Sequence, residues 1–311
     1  MAGGVIMGAL VIVIVCIALL AIVWQLCFVG CGFHPQSAIT DCTDYQQKVL
    51  QTPGLVAFWP LDETSGTTAA DIGPNNFNGT YTIGPNVTTY DPVNLSDAAP
   101  GTYTLDQANI VAGDCDSGTP NPCVAVNGGY VSVPWQAALG PGQSPFQFTL
   151  EVWVIPDWTL EDAQNNPSNR IVVASNAVGA FQGFSVLASS NNLWEATLGL
   201  GSRNLVVTTG SNQTIVQSSL YFLVLTYDGN NLTLWVNPAD TTQPPDGQAA
   251  APGFVPVASP VPLYIGIGHP NVPTPRNPFN GQIQDVAFYN VVLDGTTIET
   301  HYLNGSGMQT S

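Results

Sequence analysis

The clearest structural signal in the chain is the stretch LYFLVLTYDGNNLTLWVNP, at residues 220–238. Two arms of alternating character flank the sequence Asp228-Gly229-Asn230-Asn231. Alternate side chains of a strand point to opposite faces, and Asp, Gly and Asn accept the backbone angles of tight turns. The pattern therefore predicts a β-hairpin, and with it a β-rich domain.

Further strand signals lie on both sides of this hairpin. They include CVAVNGGYVSVP (123–134), FQFTLEVWVIP (146–156), LWEATLGLG (193–201), NLVVTTG (204–210) and GQIQDVAFYNVVL (281–293). Only DGTTIETHYL, at 294–303, suggests a helix, which Asp294 would cap. Glycine and proline number 31 and 25, and only 8% of residues are charged, a balance that favours short strands joined by turns. We therefore predict an all-β, antiparallel sandwich.

The net charge limits the possible partners. The formal charge is −17, and Lys and Arg together number only 4. A chain with so few cations lacks the basic patch that neutralises phosphates, so we expect no nucleic-acid binding. For the same reason we expect no direct attraction to anionic lipid headgroups.

The N-terminus differs from the rest of the chain. Residues 5–29 carry no charge, and Gln25 is their only strongly polar side chain. About 20 apolar residues cross a bilayer core of about 30 Å, so this run predicts one transmembrane helix. The predicted organisation is an anchor at 1–32, a stalk at 33–53, a sandwich at 54–305 and a tail at 306–311. A cleaved signal peptide, or lipidation at Cys31 after Phe28-Val29-Gly30, is the alternative.

Cysteines and glycosylation sequons suggest that the large domain lies outside the cytoplasm. Cys115 and Cys123 bracket a short Gly/Pro-rich loop and could form a disulfide, as could Cys31 and Cys42. Other connectivities and free thiols remain open. Six Asn-x-Ser/Thr sequons begin at Asn78, Asn86, Asn94, Asn212, Asn231 and Asn304. We expect a single-pass membrane protein with its large domain on a cell or virion surface.

Five blocks of sequence, in order, resemble laminin G-like domains of the concanavalin A-like lectin/glucanase superfamily. They are GLVAFWPLDETSGTTAADIGPNNFNGTY (54–81), VNGGYVSVP (126–134), FTLEVWVIP (148–156), YFLVLTYDGNNLTLWVNP (221–238) and FNGQIQDVAFYNVVLDGTTIETHY (279–302). The resemblance covers residues 53 to 305 and implies a jelly-roll sandwich. It is less specific for function, because this fold hosts lectins, adhesins, hydrolases and structural modules.

The resemblance also implies a structural Ca²⁺ between the opening loop and the closing strand. Ca²⁺ takes six to eight oxygen ligands. The matching residues are Asp71, Asn76, Asn78 and Asp285. One carboxylate of the family pattern is missing, because Gln284 precedes Asp285. The alternative is that the Asp and Asn side chains only bond the loop backbone as Asx turns.

The sequence does not predict an enzyme. Glucanases of this superfamily carry a Glu-x-Asp-x-x-Glu strand, in which paired carboxylates are nucleophile and acid. The nearest stretch contains Glu151 alone, with Trp153 at the Asp position. We expect no catalytic residue and no other cofactor than the possible Ca²⁺.

Two non-catalytic functions remain. The first is a carbohydrate-binding or adhesive module, in which Trp135, Trp158 and Trp194, near predicted turns, stack on sugar rings. The second is a structural surface or virion protein, a minor capsid or envelope component whose sandwich mediates subunit assembly. The expected partners are accordingly a glycan or a neighbouring surface protein, together with the membrane that the N-terminal helix spans.

Overall fold

A computed structural model describes residues 45–84, 102–108, 110–113, 115–116, 119–120, 122–140, 146–165, 168–177, 181–257, 260–268 and 277–308. In chain order the elements are α1 (Tyr45–Gln51), β1 (Leu55–Trp59), β2 (Thr68–Ala69), β3 (Gly79–Thr82), β4 (Thr102–Gln107), β5 (Cys115–Asp116), β6 (Thr119–Pro120), β7 (Cys123–Asn127), β8 (Tyr130–Val133), β9 (Phe148–Pro156), α2 (Leu160–Asn165), β10 (Arg170–Ala177), β11 (Gln182–Ala188), β12 (Trp194–Gly199), β13 (Asn204–Thr208), β14 (Tyr221–Tyr227), β15 (Asn231–Val236), β16 (Gly247–Ala250), β17 (Leu263–Ile265), β18 (Asn280–Tyr289) and α3 (Gly295–Gly305).

The strands form two large antiparallel sheets, which confirms the predicted all-β sandwich. Sheet 1 has the order β16-β15-β14-β9-β18-β7-β4, with β1 added beside β18. Sheet 2 has the order β13-β12-β11-β10-β17-β8-β3-β2. The predicted hairpin is β14 and β15, paired from Leu223 opposite Val236 to Tyr227 opposite Leu232. Its arms lie inside sheet 1, and β9 pairs with the other side of β14.

The long strand β18 changes partner at a local irregularity. Its first residues pair with β7, from Asn280 to Ile283, and its last residues pair with β1. Between the two, Asp285 has a φ of 54°, which is unusual for a residue with a side chain. The ladder between β18 and β9 is interrupted at the same point, as expected of a β-bulge. The bulge thus separates two pairing surfaces on one strand.

The core between the sheets is apolar and aromatic. Phe148 and Phe288 of sheet 1 pack around Phe184 of sheet 2, with ring centroids 4.8 Å and 5.9 Å from it. All three side chains are buried. Such aromatic pairs contribute about 0.5–1.5 kcal/mol each beyond the area they bury. These contacts join the two sheets through their inner faces.

The outer face of sheet 1 carries a second apolar cluster, which the helices cover. Trp153 and Phe222 stack at 4.5 Å, and Tyr302 of α3 stacks on Trp153 at 5.9 Å. A Cβ on Gly305 would lie 2.3 Å from Cζ2 of Trp153, so the end of α3 can approach this closely only as glycine. Asp294 caps α3 as predicted, because its Oδ1 accepts a bond from Thr297 N at 2.8 Å.

Residues 45–53, predicted as the end of a stalk, pack against the sandwich. Tyr45 and Val49 of α1 lie one helical turn apart and are both fully buried. The backbone also ties both ends of the domain to one loop residue: Tyr45 N donates to Gly113 O at 3.0 Å, and Gly113 N donates to Gly305 O at 3.1 Å. The first and last helices therefore meet at Gly113.

The predicted membrane anchor at 1–32 and most of the predicted stalk lie outside the described residues. Within the described ranges, every helix is too short or too polar to cross a bilayer.

Candidate functional site

A groove lies on the outer face of sheet 1, beside the helix-covered cluster. Its volume is about 410 Å³, and it is formed by β4, β7, β18 and the end of β9, with Ser218 at its rim. Strand register places its side chains in two rows across the sheet. The first row contains Thr102, Asn127, Asn280 and Asp157, and the second contains Thr104, Ala125, Gln282 and Ile155. We call this feature the polar groove.

The polar groove consists mainly of hydrogen-bonding groups that the protein does not itself use. Within the described residues, the side-chain amides of Asn127, Asn280 and Gln282 form no hydrogen bond to another protein group. Each is only partly buried. An amide offers two donors and an acceptor, so these three side chains can bind a hydroxylated ligand. Ala125 and Ile155 add an apolar strip to the second row.

Gly281 allows the floor of the groove to form. Its φ is +143°, and a Cβ there would lie 2.1 Å from the carbonyl oxygen of Ile155. Only glycine therefore permits β18 to approach β9 at this position. The sequence shows Asn280-Gly281 plainly, but nothing local indicates that this pair faces β7 and β4.

The electrostatic character of the polar groove is acidic. Asp157 is exposed at one end of the first row, and its Oδ1 accepts a bond from Gln217 Nε2 at 3.1 Å. Its backbone amide donates to Asn280 O at 3.1 Å, which fixes the position of the residue. All groove-lining residues in the described part of the chain are neutral apart from Asp157.

The three predicted sugar-stacking tryptophans are not brought together, and two of them are core residues. Trp158 is 3% exposed and Trp194 is 1% exposed. Trp158 donates from Nε1 to Asn192 Oδ1 at 2.9 Å, and Trp194 packs edge-on against Tyr221. Their position beside turns suggested exposure, but both rings point into the sandwich. Stacking on either ring is therefore incompatible with this structure, and Trp135, which is half-buried, is the remaining candidate.

The predicted Ca²⁺ residue Asp71 is a backbone anchor. Its Oδ1 accepts bonds from Phe58 N and Gly73 N, both at 2.8 Å, and its Oδ2 accepts from Phe77 N at 2.7 Å. Its own amide donates to Asn78 Oδ1 at 2.8 Å. The contacts with Gly73 and Phe77 are those of the Asx-type alternative, and the bond to Phe58 attaches the loop to β1.

The other predicted ligands differ in their surroundings. Asn76 is exposed with a φ of 54°, and Asp285 is buried at the bulge, where its amide donates to Pro60 O at 3.0 Å. Among the described residues, no group of three or more His, Cys, Asp or Glu side chains could hold a metal. The predicted Ca²⁺ set also contains the amide oxygens of Asn76 and Asn78, and the site stays a prediction.

The predicted disulfide between Cys115 and Cys123 is not supported. Cys123 is a free, buried thiol, and its Sγ donates to Ala108 O at 3.0 Å. Burial, and then the charge of Asp285, raises the pKa of the Cys123 thiol to about 12. The side chain of Cys115 lies outside the described residues, as do Cys31 and Cys42.

Glu151, the one residue that matches the glucanase strand, is inaccessible. Its carboxylate is fully buried beneath α3 and lies 3.0 Å from Nδ1 of His301, while Tyr289 OH donates to it at 3.1 Å. Nε2 of His301 lies 3.0 Å from Thr52 Oγ1. Burial, followed by the charge of Glu151, raises the pKa of Tyr289 well above its usual value, so this phenol stays protonated. The cluster links α3 and the segment after α1 to β9 and β18.

The predicted glycosylation sites differ in accessibility. Asn212 is exposed, whereas Asn231 and Asn304 donate from Nδ2 to Asp228 and to a backbone carbonyl of α3, at 3.0 and 2.7 Å. Asn78 is held by the Asp71 amide. Asn86 and Asn94 lie outside the described residues. Glycosylation remains a prediction for all six.

Solved structures share this architecture at low sequence identity. The binding domain of Paraclostridial Mosquitocidal Protein 1 is 14% identical, with a TM-score of 0.52 and coverage of 80% of this chain and 52% of that one. Botulinum neurotoxin type C, whose cell entry depends on two ganglioside molecules, is 10% identical, with a TM-score of 0.51 and coverage of 85% and 53%. A Trypanosoma rangeli sialidase bound to 2,3-difluoro-KDN is 16% identical, with a TM-score of 0.50 and coverage of 84% and 34%.

These likenesses show the fold alone, and this chain spans about half or less of the length of those solved chains. No curated protein matches the sequence. A family model does match, at residues 126–299, which is more than half of the 311-residue chain. The matched region contains β8 to β17 and all of β18, and so most of both sheets. With its two antiparallel sheets and this match, the chain belongs to the laminin G-like part of the concanavalin A-like lectin/glucanases superfamily.

Proposed function

We propose that this protein is a non-catalytic carbohydrate-binding module whose ligand occupies the polar groove. The observation that carries the proposal is the two rows of mainly neutral hydrogen-bonding side chains across four strands. Sugar hydroxyls both donate and accept, which matches the amides of Asn127, Asn280 and Gln282. The groove volume of about 410 Å³ is within the range of about 300–1,000 Å³ usual for ligand pockets.

The apolar strip supports the same ligand class. Sugar rings have polar edges and apolar C–H faces, so a sugar site needs both kinds of contact. Ala125 and Ile155 supply an apolar surface next to Gln282 in the second row. Recognition in this groove would depend on hydrogen bonds and aliphatic contact, with no aromatic platform among its described lining residues.

The family and the similar structures agree with a binding module. The superfamily includes lectins by its description, and two of the similar structures are the binding domain of a mosquitocidal protein and a neurotoxin that interacts with gangliosides. The proposal that the module is non-catalytic is supported by Glu151, which is buried in a pair with His301. The sialidase likeness covers only 34% of that enzyme.

The membrane location is part of the proposal. Its support is the uncharged run at residues 5–29, which would hold the sandwich on a cell or virion surface. Full-length protein should then resist carbonate extraction, whereas protein beginning at Gln36 should be soluble. Release of the full-length protein by carbonate would contradict the anchor without affecting the groove.

The groove is tested by binding measurements with the soluble protein. A glycan array identifies the best oligosaccharide, and titration calorimetry then measures its affinity for Asn127→Ala and Asn280→Ala. Loss of one neutral hydrogen bond with its partner left unpaired costs about 1–3 kcal/mol, so each variant should bind roughly 5- to 150-fold more weakly. Asn204→Ala, at an exposed position on β13 of sheet 2, is the matched control. Unchanged affinity in both groove variants would refute the proposed site.

A further inference from the structure

The polar groove contains an acidic group, and its described lining residues include no cation. Asp157 is exposed at one end of the groove, and in the described chain its carboxylate accepts a bond from the neutral amide of Gln217. None of the described lining residues is Lys, Arg or His. A negatively charged ligand would therefore find no counter-charge among the described lining residues of the groove.

The cations of the described chain lie elsewhere. Arg170 is buried in sheet 2, with its guanidinium carbon 4.7 Å from the ring centroid of Trp158. Lys48 lies in α1, and Arg203 lies in the turn between β12 and β13. Arg276 lies outside the described residues. Against these four cations the whole chain has 21 Asp and Glu residues, so its long-range field also opposes anions.

The shape of the groove favours a chain of sugars over a single ring. Its rows cross β4, β7, β18 and β9, and neighbouring strands lie about 4.8 Å apart, so the rows extend over about 14 Å. Each row offers a hydrogen-bonding group on β4 and another on β18. An oligosaccharide lying across the strands would contact both of these groups at once.

We infer that the polar groove selects neutral oligosaccharides and discriminates against acidic ones, such as sialylated, sulfated or uronate-containing glycans. This inference rests on the proposed carbohydrate-binding function. Two unit charges about 7 Å apart in water repel each other enough to weaken binding about threefold. Desolvation of the ligand charge in the groove and the net charge of the protein add to this, so we expect neutral members of matched pairs to bind at least about tenfold more tightly at low salt.

The test uses matched glycan pairs that differ only in one acidic group, such as lacto-N-neotetraose and its terminally sialylated form, within an array that contains other neutral and acidic chains. Affinities are compared at about 20 mM and about 500 mM salt. Because this rise in salt shortens the Debye length from about 20 Å to about 4 Å, the preference for the neutral member should narrow at high salt. Asp157→Asn should reduce the ratio of neutral to acidic affinity about threefold at low salt. Asp240→Asn, which removes an exposed carboxylate outside the groove, should leave the preference unchanged.

The outcomes separate this inference from the proposed function. Binding of no glycan at all would overturn both. If the acidic member of each pair bound more tightly, and Asn280→Ala abolished this binding, the groove would remain a glycan site. The inferred preference for neutral glycans would then be overturned. If Arg276→Gln then abolished the preference for acidic glycans, Arg276 would be the cation that attracts them, and the inferred selectivity would be overturned. A preference for neutral chains that Asp157→Asn does not narrow would also contradict the proposed electrostatic cause.

Discussion

Asp71 provides the sharpest test of how the opening loop is held. The residue is 3% exposed, and its two carboxylate oxygens accept three backbone N–H groups, from Phe58, Gly73 and Phe77. Asp71→Ala removes all three acceptors at once. Phe58 N belongs to β1, so the variant also detaches the loop from sheet 1.

The expected loss of unfolding free energy in Asp71→Ala follows from these three hydrogen bonds. A hydrogen bond to a charged group contributes about 1.5–3 kcal/mol, and water entering from the exposed side of the loop would recover part of the loss. We expect Asp71→Ala to lower the free energy of unfolding by about 3–6 kcal/mol. At about 2–4 °C per kcal/mol for a domain of this size, this corresponds to a fall in Tm of about 6–24 °C. Asp71→Asn keeps Oδ1 and should lose about a third as much, because only one of the three bonds, the one from Phe77, must be given up.

Urea unfolding of the soluble domain, followed by tryptophan fluorescence, measures these changes. Glu161→Gln, at an exposed carboxylate in the first turn of α2, is the control and should change stability by less than about 0.5 kcal/mol. A loss below about 1 kcal/mol in Asp71→Ala would refute the anchoring role. The same series with EDTA tests the predicted Ca²⁺: backbone anchoring alone predicts an unchanged difference between wild type and variant, whereas a Ca²⁺ site predicts that the chelator destabilises only the wild type.

Three further variants test other parts of the structure. Burial, then the charge of its acidic neighbour Glu63, raises the pKa of Asp62 above 3.8. The stability that protonated Asp62 contributes is therefore present below pH 3.8 and is lost as the pH rises through the raised pKa. Asp62→Asn should raise Tm at about pH 7 by about 1–3 °C, and a calorimetric series should show this gain vanishing near about pH 3. Gly281→Ala places a Cβ against the carbonyl of Ile155 and should lower the free energy of unfolding by about 2–4 kcal/mol in urea titrations; a neutral result would contradict the close approach of β18 and β9. His301→Leu removes the imidazole partner of the buried Glu151 carboxylate and leaves it only the hydroxyl of Tyr289, so the free energy of unfolding should fall by about 3–5 kcal/mol. The double variant with Glu151→Leu should recover much of this loss; an equally unstable double variant would mean that packing dominates at this site.

The sequence predicts well those features whose causes are local. The hairpin of β14 and β15 follows from its turn residues and alternating arms, and the cap of α3 follows from Asp294 alone. The sandwich follows from the repetition of such strands, and the family from five ordered blocks. Each of these depends on residues that are neighbours in the chain, so a single sequence carries enough information.

The site is less predictable because its residues meet only through strand register. Asn127 and Asn280 are far apart in the chain, and they face the same groove only because β7 pairs with β18 at that register. Burial is equally non-local: Trp158 follows a strand closely, yet Phe279 packs edge-on against its ring at 5.4 Å and Arg170 covers its face. A shift of one residue in a strand would turn its side chains to the other face of the sheet.

The meeting of both helices at Gly113 has a consequence for the topology of the molecule. The carbonyl of Gly113 accepts a hydrogen bond from Tyr45 N, and the amide of Gly113 donates one to Gly305 O. The two ends of the folded domain therefore lie close together. A domain cut to residues 45–308 could therefore be closed by a short Gly/Ser linker and reopened at the exposed turn after Asp228 without breaking the pairing of β14 with β15. Such a circular permutant would keep the polar groove intact, and the same geometry would let the sandwich be inserted into a surface loop of another protein.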